Sequence, residues 1–206
     1  MKNKAAFLAA LLAGALVAAP AYAQSKGPGG AYIGLGAMQT YTNNATDFAF
    51  LSIPFGGDAD SKATGAKIFG GYVFPNRFGI EIGYYDLGTY DVRTFGVKSD
   101  EFSTTALAFS GTFGMPINPK VDLLFKLGIA FTDAQYRCFS ACGWPFVDTK
   151  HSDIAGLMGI GLGWRVAPSF SVRADYEYFG GVIHAVGSMQ GDYGYSAVSI
   201  AGQFHF

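Results

Sequence analysis

YSAVSIAGQFHF, residues Tyr195–Phe206, decides the fold, because apolar residues alternate with small or polar ones along it and it stops on a phenylalanine. Val198, Ile200, Gly202 and Phe204 fall on one face. Ser199, Ala201, Gln203 and His205 fall on the other, which is the period of a strand between two unlike environments. A transmembrane β-barrel alternates lipid-facing and lumen-facing residues in this way, and it is one of two architectures that satisfy every backbone amide in hydrocarbon.

The opposite end carries Lys2 and Lys4 ahead of an apolar run from Ala5 to Ala19, then Pro20 and Ala21-Tyr22-Ala23. A short apolar core behind basic residues and before a small-x-small tripeptide reads as a secretory signal peptide over 1–23, cleaved before Gln24. The run is too short for a spanning helix. No later segment approaches that length, so residues 24–206 are expected to form one membrane-embedded barrel domain.

Composition agrees. The chain has 29 glycines, 16% aromatic and only 14% charged residues, against about 25% charged in ordinary soluble domains. Removing residues 1–23 takes away two lysines and no acid, leaving twelve basic against fifteen acidic side chains. That balance excludes a nucleic-acid partner.

Eight alternating segments follow, near 30–40, 63–74, 77–87, 103–115, 120–133, 152–166, 170–180 and 193–206. Short proline-marked joins at Phe74-Pro75-Asn76, Met115–Pro119 and Ala167-Pro168-Ser169 alternate with long joins near 41–62, 88–102, 134–151 and 181–192. This asymmetry predicts an all-β, eight-stranded antiparallel up-and-down transmembrane barrel with periplasmic turns and outer loops. Parity supports it. Ile68, Tyr72, Ile80, Ile82, Ile160 and Leu162 share the lipid face, while Lys67, Glu81, Lys126, Arg165, Arg173, Asp175 and Glu177 all fall on the other. Aromatic residues gather toward the strand ends, Phe74, Phe78, Trp164, Phe204 and Phe206 at the turn rim and Tyr84, Phe131 and Tyr178 at the loop rim. A soluble lipocalin-like barrel would show the same alternation turned inside out, with these charges in water.

The stretch Thr64–Gly88 (TGAKIFGGYVFPNRFGIEIGYYDLG), the opening Ala31–Gly36 and the closing strand resemble the OmpA-like family of small outer-membrane β-barrels. The resemblance implies residence in the bacterial outer membrane and insertion by assembly machinery that reads a C-terminal aromatic, here Phe204 and Phe206. It also implies a role among membrane stabilisers, adhesins, host-contact or complement-interacting proteins and weak pores. The sequence differs from the longer OmpA-type members in carrying no periplasmic peptidoglycan-binding domain, so no cell-wall tether is expected.

The seven inward charges are expected to plug a narrow lumen. A three-residue first turn places Phe69 opposite Glu81, and Lys67 then lies diagonal to Glu81. The expected function is non-enzymatic, contributing to envelope structure and surface interaction, in a monomer without cofactor or metal. One alternative is a narrow, low-conductance pore. Another is a lipid A-modifying enzyme, for which His151-Ser152-Asp153 and His184 with Ser188 supply the residue types; strand neighbours point to opposite faces, however, so Ser152 cannot share a site with both His151 and Asp153.

Cys138 and Cys142, the only cysteines, are close enough in an exported loop to form a disulfide. The metal reading has no CxxC and only His151 nearby. In the loops Phe48, Phe50, Phe55 and Trp144 are candidates for contact with a host or surface ligand, or for packing over the barrel mouth. N-terminal sequencing of protein recovered from an outer-membrane fraction is expected to begin at Gln24; a chain beginning at Met1 contradicts the signal-peptide assignment.

Overall fold

The computed structural model describes residues 29–42, 57–59, 61–94, 97–138, 149–180 and 194–206. Nine strands are present: β1 (Gly30–Thr42), β2 (Gly57–Ala59), β3 (Lys62–Val73), β4 (Phe78–Thr94), β5 (Val97–Asn118), β6 (Val121–Cys138), β7 (Thr149–Ala167), β8 (Phe170–Gly180) and β9 (Tyr195–His205). Eight of them close the barrel. Each pairs antiparallel with its neighbours, β1 meets β9, and the β4–β5 ladder completes the ring. The ninth, β2, is a three-residue strand on the outer part of β4, pairing Gly57 with Thr94.

Orientation is settled by what faces out. Leu35, Ile80, Leu127, Leu162 and Ile200 are between 48% and 70% exposed, whereas Lys67 and Glu81 are 1% and 4% exposed. A charge turned toward hydrocarbon has no partner, so the ionised side chains take the inner parity and the oily ones the lipid face. The apolar band ends at the row Asp86–Thr105–Asp133–Ser152, paired in register across β4 to β7, where exposed acids first appear on the outside.

Three local features differ from the sequence reading. The first short turn is Pro75-Asn76-Arg77: Arg77 N donates to the Phe74 carbonyl at 2.9 Å, Asn76 Oδ1 accepts from Phe78 N at 3.2 Å, and Arg77 takes φ of 69°. This is the three-residue hairpin loop with its last residue in the left-handed region. The register moves by two accordingly, placing Lys67 opposite Tyr85 and Glu81 opposite Gly71, so the diagonal Lys67–Glu81 pairing is not formed. The third short turn has two residues, Pro168-Ser169, with an irregularity between Arg165 and Ala167 restoring the parity that three residues were expected to give.

The join expected over 88–102 is mostly strand. β4 and β5 continue past the apolar band to the pair Thr94–Val97, because strands outside the bilayer need no oily face and the pattern there turns polar. A bulge at Gly88, with φ of 86°, shifts the ladder between Asp86 and Thr89. The Asp86 carboxylate accepts the Gly88 N–H at 3.0 Å. Beyond the bulge the inner face switches from odd positions, such as Tyr85 and Leu87, to the even Tyr90.

Strand length makes the outer rim uneven. About 9–11 residues span a bilayer as a tilted strand; β8 and β9 have 11 each, but β5 has 22 and β7 has 19. The four strands β4–β7 therefore stand above the membrane as a wall on one side. Replacing Leu127 by Arg on the lipid face is expected to cost about 2–4 kcal/mol in urea titrations of bilayer-embedded protein, falling to about 0–1 kcal/mol for Thr105→Arg at the edge of the band; equal costs at the two depths would contradict the placement of the band.

Candidate functional site

The charged interior begins with β8. Its alternation turns Arg173, Asp175 and Glu177 to the same inner face, and each is at most 5% exposed. Opposite them stand Lys67 from β3, Glu81 from β4 and Lys126 from β6. The six close a cycle in which cation and carboxylate alternate. Lys67 Nζ meets Asp175 Oδ2 and Glu177 Oε2, both at 2.7 Å. Lys126 Nζ meets Glu177 Oε1 at 2.5 Å and Glu81 Oε1 at 2.6 Å. Arg173 closes the cycle, Nη1 to Glu81 Oε2 at 2.6 Å and Nε to Asp175 Oδ1 at 2.8 Å. Every charge has two opposite neighbours, and the set is neutral.

Aromatic residues complete the shell. The hydroxyl of Tyr32 donates to Glu81 Oε2 at 2.7 Å and that of Tyr85 to Glu177 Oε1 at 2.9 Å. The Arg173 guanidinium lies 4.8 Å from the Phe69 ring centroid and Lys67 Nζ 5.4 Å from the same ring, distances at which a cation is attracted to the ring face. Glycine provides the room. A Cβ at Gly161 would collide with Asp175 Oδ1, directly across the ladder, and one at Gly159 would sit 3.2 Å from Glu177 Cγ. The two carboxylates lie over the bare inner face of β7.

Arg165 does not belong to this cycle. It stands at the turn rim with its side chain 54% exposed and, among the described residues, pairs only with Asp122, at 3.7 Å, because it lies eight residues beyond Leu157 toward the turn and its inward parity opens onto the mouth. Tyr32, Tyr85 and Phe69 were not singled out from sequence. Their inward parity is readable, but alternation alone does not separate an aromatic residue that lines the lumen from one at a rim.

Toward the loops the lumen is filled by a second layer of Met38, Leu87, Tyr90, Leu157, Phe179 and Tyr195, packed with alanines from β3, β5, β6, β7 and β9. Tyr90 donates to Thr40 Oγ1 at 2.9 Å, and Thr40 donates to the Leu87 carbonyl at 2.7 Å. Toward the turns the opposite holds. A cavity of about 1090 Å³ opens below the charge cycle, bordered by Tyr32, Gln203, His205 and the bare wall of Gly159, Gly161 and Gly163. The interior is thus less full than the expectation of a wholly packed lumen, because toward the turns Gly114 and Gly163 leave a wall that, of the described side chains, only Leu124 approaches within 4 Å.

Of the other candidates, Phe204 is 46% exposed and packs edge-to-face on Phe206 at 5.3 Å. Ser152 Oγ donates to Asp133 Oδ1 at 2.6 Å on the outer wall, while Asp153 takes the opposite parity, so the two do not meet in one site. Cys138 ends β6. Cys142, Phe48, Phe50, Phe55, Trp144, His184 and Ser188 lie outside the described residues.

A family model described as the OmpA-like transmembrane domain matches residues 29–204. No curated protein matches the chain in sequence. Among solved structures, it is similar to Neisserial surface protein A, at 15% identity and a TM-score of 0.60 over 85% of this chain and 97% of that one. It is also similar to Ail, the attachment invasion locus protein of Yersinia pestis, at 19% identity and a TM-score of 0.55 over 86% of this chain and 99% of that one. The complex of Ail with the heparin analogue sucrose octasulfate gives 17% identity and a TM-score of 0.54 over the same shares.

Removing one member of a buried ion set strands its partners. Lys126→Met is therefore expected to lower bilayer-embedded stability by about 3–5 kcal/mol, and Lys126→Met with Glu177→Met by less than the sum of the single losses. Equilibrium unfolding in urea measures both; strictly additive losses would show that the two side chains do not share a network.

Proposed function

We propose that this chain, which belongs to the OmpA-like transmembrane domain family and lies in the bacterial outer membrane, is a non-enzymatic envelope protein whose lumen is closed by its charge cycle and whose outer wall makes surface contacts. The observation that carries the closure is the alternation itself. With each of Lys67, Lys126 and Arg173 held between two carboxylates, an ion crossing the lumen must displace bonds that are costly to break in a dry interior. The layer above it is built mainly of apolar side chains, and its Tyr90 and Thr40 hydroxyls are bonded to each other and to the Leu87 carbonyl. These features favour a plug over a narrow pore.

The same proposal covers the route to the membrane. The chain is exported with residues 1–23 removed, inserted by assembly machinery that reads Phe204 and Phe206, and stays monomeric, with Cys138 and Cys142 joined at the tip of the third loop. No lipid A chemistry is assigned to it. In support, Ser152 is engaged by Asp133 on the outer wall, facing away from Asp153.

For the surface role, the projecting β4–β7 wall and the aromatic residues Phe48, Phe50, Phe55 and Trp144 offer contact area to a host or surface ligand. The outer segments 41–62, 86–103, 132–153 and 181–193 together carry eleven acidic and five basic side chains. That sign disfavours a polyanion, so the heparin analogue bound to Ail is not transferred to this chain, and a neutral or basic partner suits it better.

Two measurements test the reading. In planar bilayers, purified full-length protein is expected to give no steady conductance above baseline; a large sustained current would replace the plug with a pore. On immobilised heparin the protein is expected to run through at moderate salt; retention released by salt would contradict the acidic outer surface.

A further inference from the structure

We propose that the cavity beneath the charge cycle is a periplasm-facing binding site for a small organic carboxylate with an apolar body, gripped by the Gln203 amide and the Arg173 guanidinium. This goes beyond the plug reading, because it concerns what the blind end of the lumen holds.

Gln203 is only 7% exposed and lines this cavity, yet its amide makes no hydrogen bond with any described residue. An enclosed amide has two N–H donors and a carbonyl to satisfy, and here the cavity is the side from which a partner can come. Across the β8–β9 ladder Gln203 faces Ser171, while Arg173 faces Ala201, so the amide and the guanidinium are diagonal neighbours on one inner face. Arg173 gives its Nε–H to Asp175 and one N–H from each terminal nitrogen to Glu81. Two of its five N–H groups take no part in these bonds. An acceptor placed between the two side chains is met by donors from both, and a planar carboxylate suits a guanidinium best.

The sign and shape of the cavity agree. Arg77, Lys120 and Arg165 border its mouth, which remains cationic after Asp122 is counted, so an anion is drawn inward. The acids of the cycle do not repel it strongly, since each lies between two cations. Part of the cavity wall is glycine and leucine. A Cβ at Gly163 would find its nearest neighbour, Leu124 Cδ1, at 3.5 Å, and one at Gly114 would find Leu124 Cδ2 at 3.7 Å. Unlike Gly161, which seats Asp175, these two glycines have only Leu124 as a side-chain neighbour within 4 Å, and with it they border the cavity, where an apolar body can lie.

The experiment uses the full-length protein in lipid nanodiscs, with the Gln203 side-chain amide followed by 1H–15N NMR. N-acetylphenylalanine is the probe, and N-acetylphenylalaninamide, of the same shape without the charge, is the control. The acid is expected to shift the Gln203 signal saturably, the amide to bind at least about tenfold more weakly, and Gly114→Leu to abolish the acid's effect while leaving the Gln203 signal in place. Gly114→Leu fills the cavity from β5, where a Cβ meets only Leu124 and the Arg77 carbonyl within 4 Å and no member of the charge cycle; Gly114→Ala, which adds a single methyl and is expected to weaken the acid's effect, serves if the leucine variant does not insert. No saturable shift with the acid, or equal affinity for acid and amide, overturns the site. Conductance tests the plug separately, so a failure of one reading is distinguishable from a failure of the other.

Discussion

An ionised side chain in a membrane barrel can face hydrocarbon, where it has no partner, or the lumen, where it must find one of opposite sign. The rest of this structure depends on the second choice being made three times over. Lys67, Lys126 and Arg173 each lie between two of Glu81, Asp175 and Glu177, so burial leaves no charge uncompensated. The cycle also has a mechanical consequence. Three members come from β8 and the others from β3, β4 and β6, none of which is a sheet neighbour of β8. Backbone ladders join each strand only to the next, whereas the cycle ties the C-terminal strands to the far wall.

That tie needs space, and the glycines on β7 supply it at two levels for different ends. Gly159 and Gly161 sit under the carboxylates of Glu177 and Asp175, while Gly163 lies by the open cavity. The lumen is thereby polarised along its axis. It is dry and aromatic toward the loops, where Phe179 and Tyr85 pack edge-to-face at 5.2 Å, ionic at the middle and hollow toward the turns.

The strand count, the antiparallel order and the inward set of charges were legible in the sequence because period-two alternation reports which environment each side chain meets. Register was less legible. The odd turn length at Pro75 was readable from parity, but parity cannot separate a turn centred on Pro75 from one shifted by a residue, and the left-handed conformation of Arg77 has no glycine to announce it. Lys67 was consequently placed beside Glu81 when it reaches across the lumen to β8. Arg165 shared the parity of the cycle, yet depth along the strand, which alternation does not encode, puts it at the mouth. The extension of β4 and β5 is not legible as strand because outside the bilayer a strand loses the oily face that identifies it.

The most direct measurement is the exchange of lysine ammonium protons with water, read from 1H–15N spectra of the protein in nanodiscs. Ammonium groups held between two carboxylates in a dry lumen exchange slowly, so the account predicts sharp, protected signals for Lys67 and Lys126 and none for the exposed Lys62 and Lys120. Exchange at Lys67 and Lys126 as fast as at Lys62 would mean that the cycle is open to solvent, and the lumen would then not be closed by its charges.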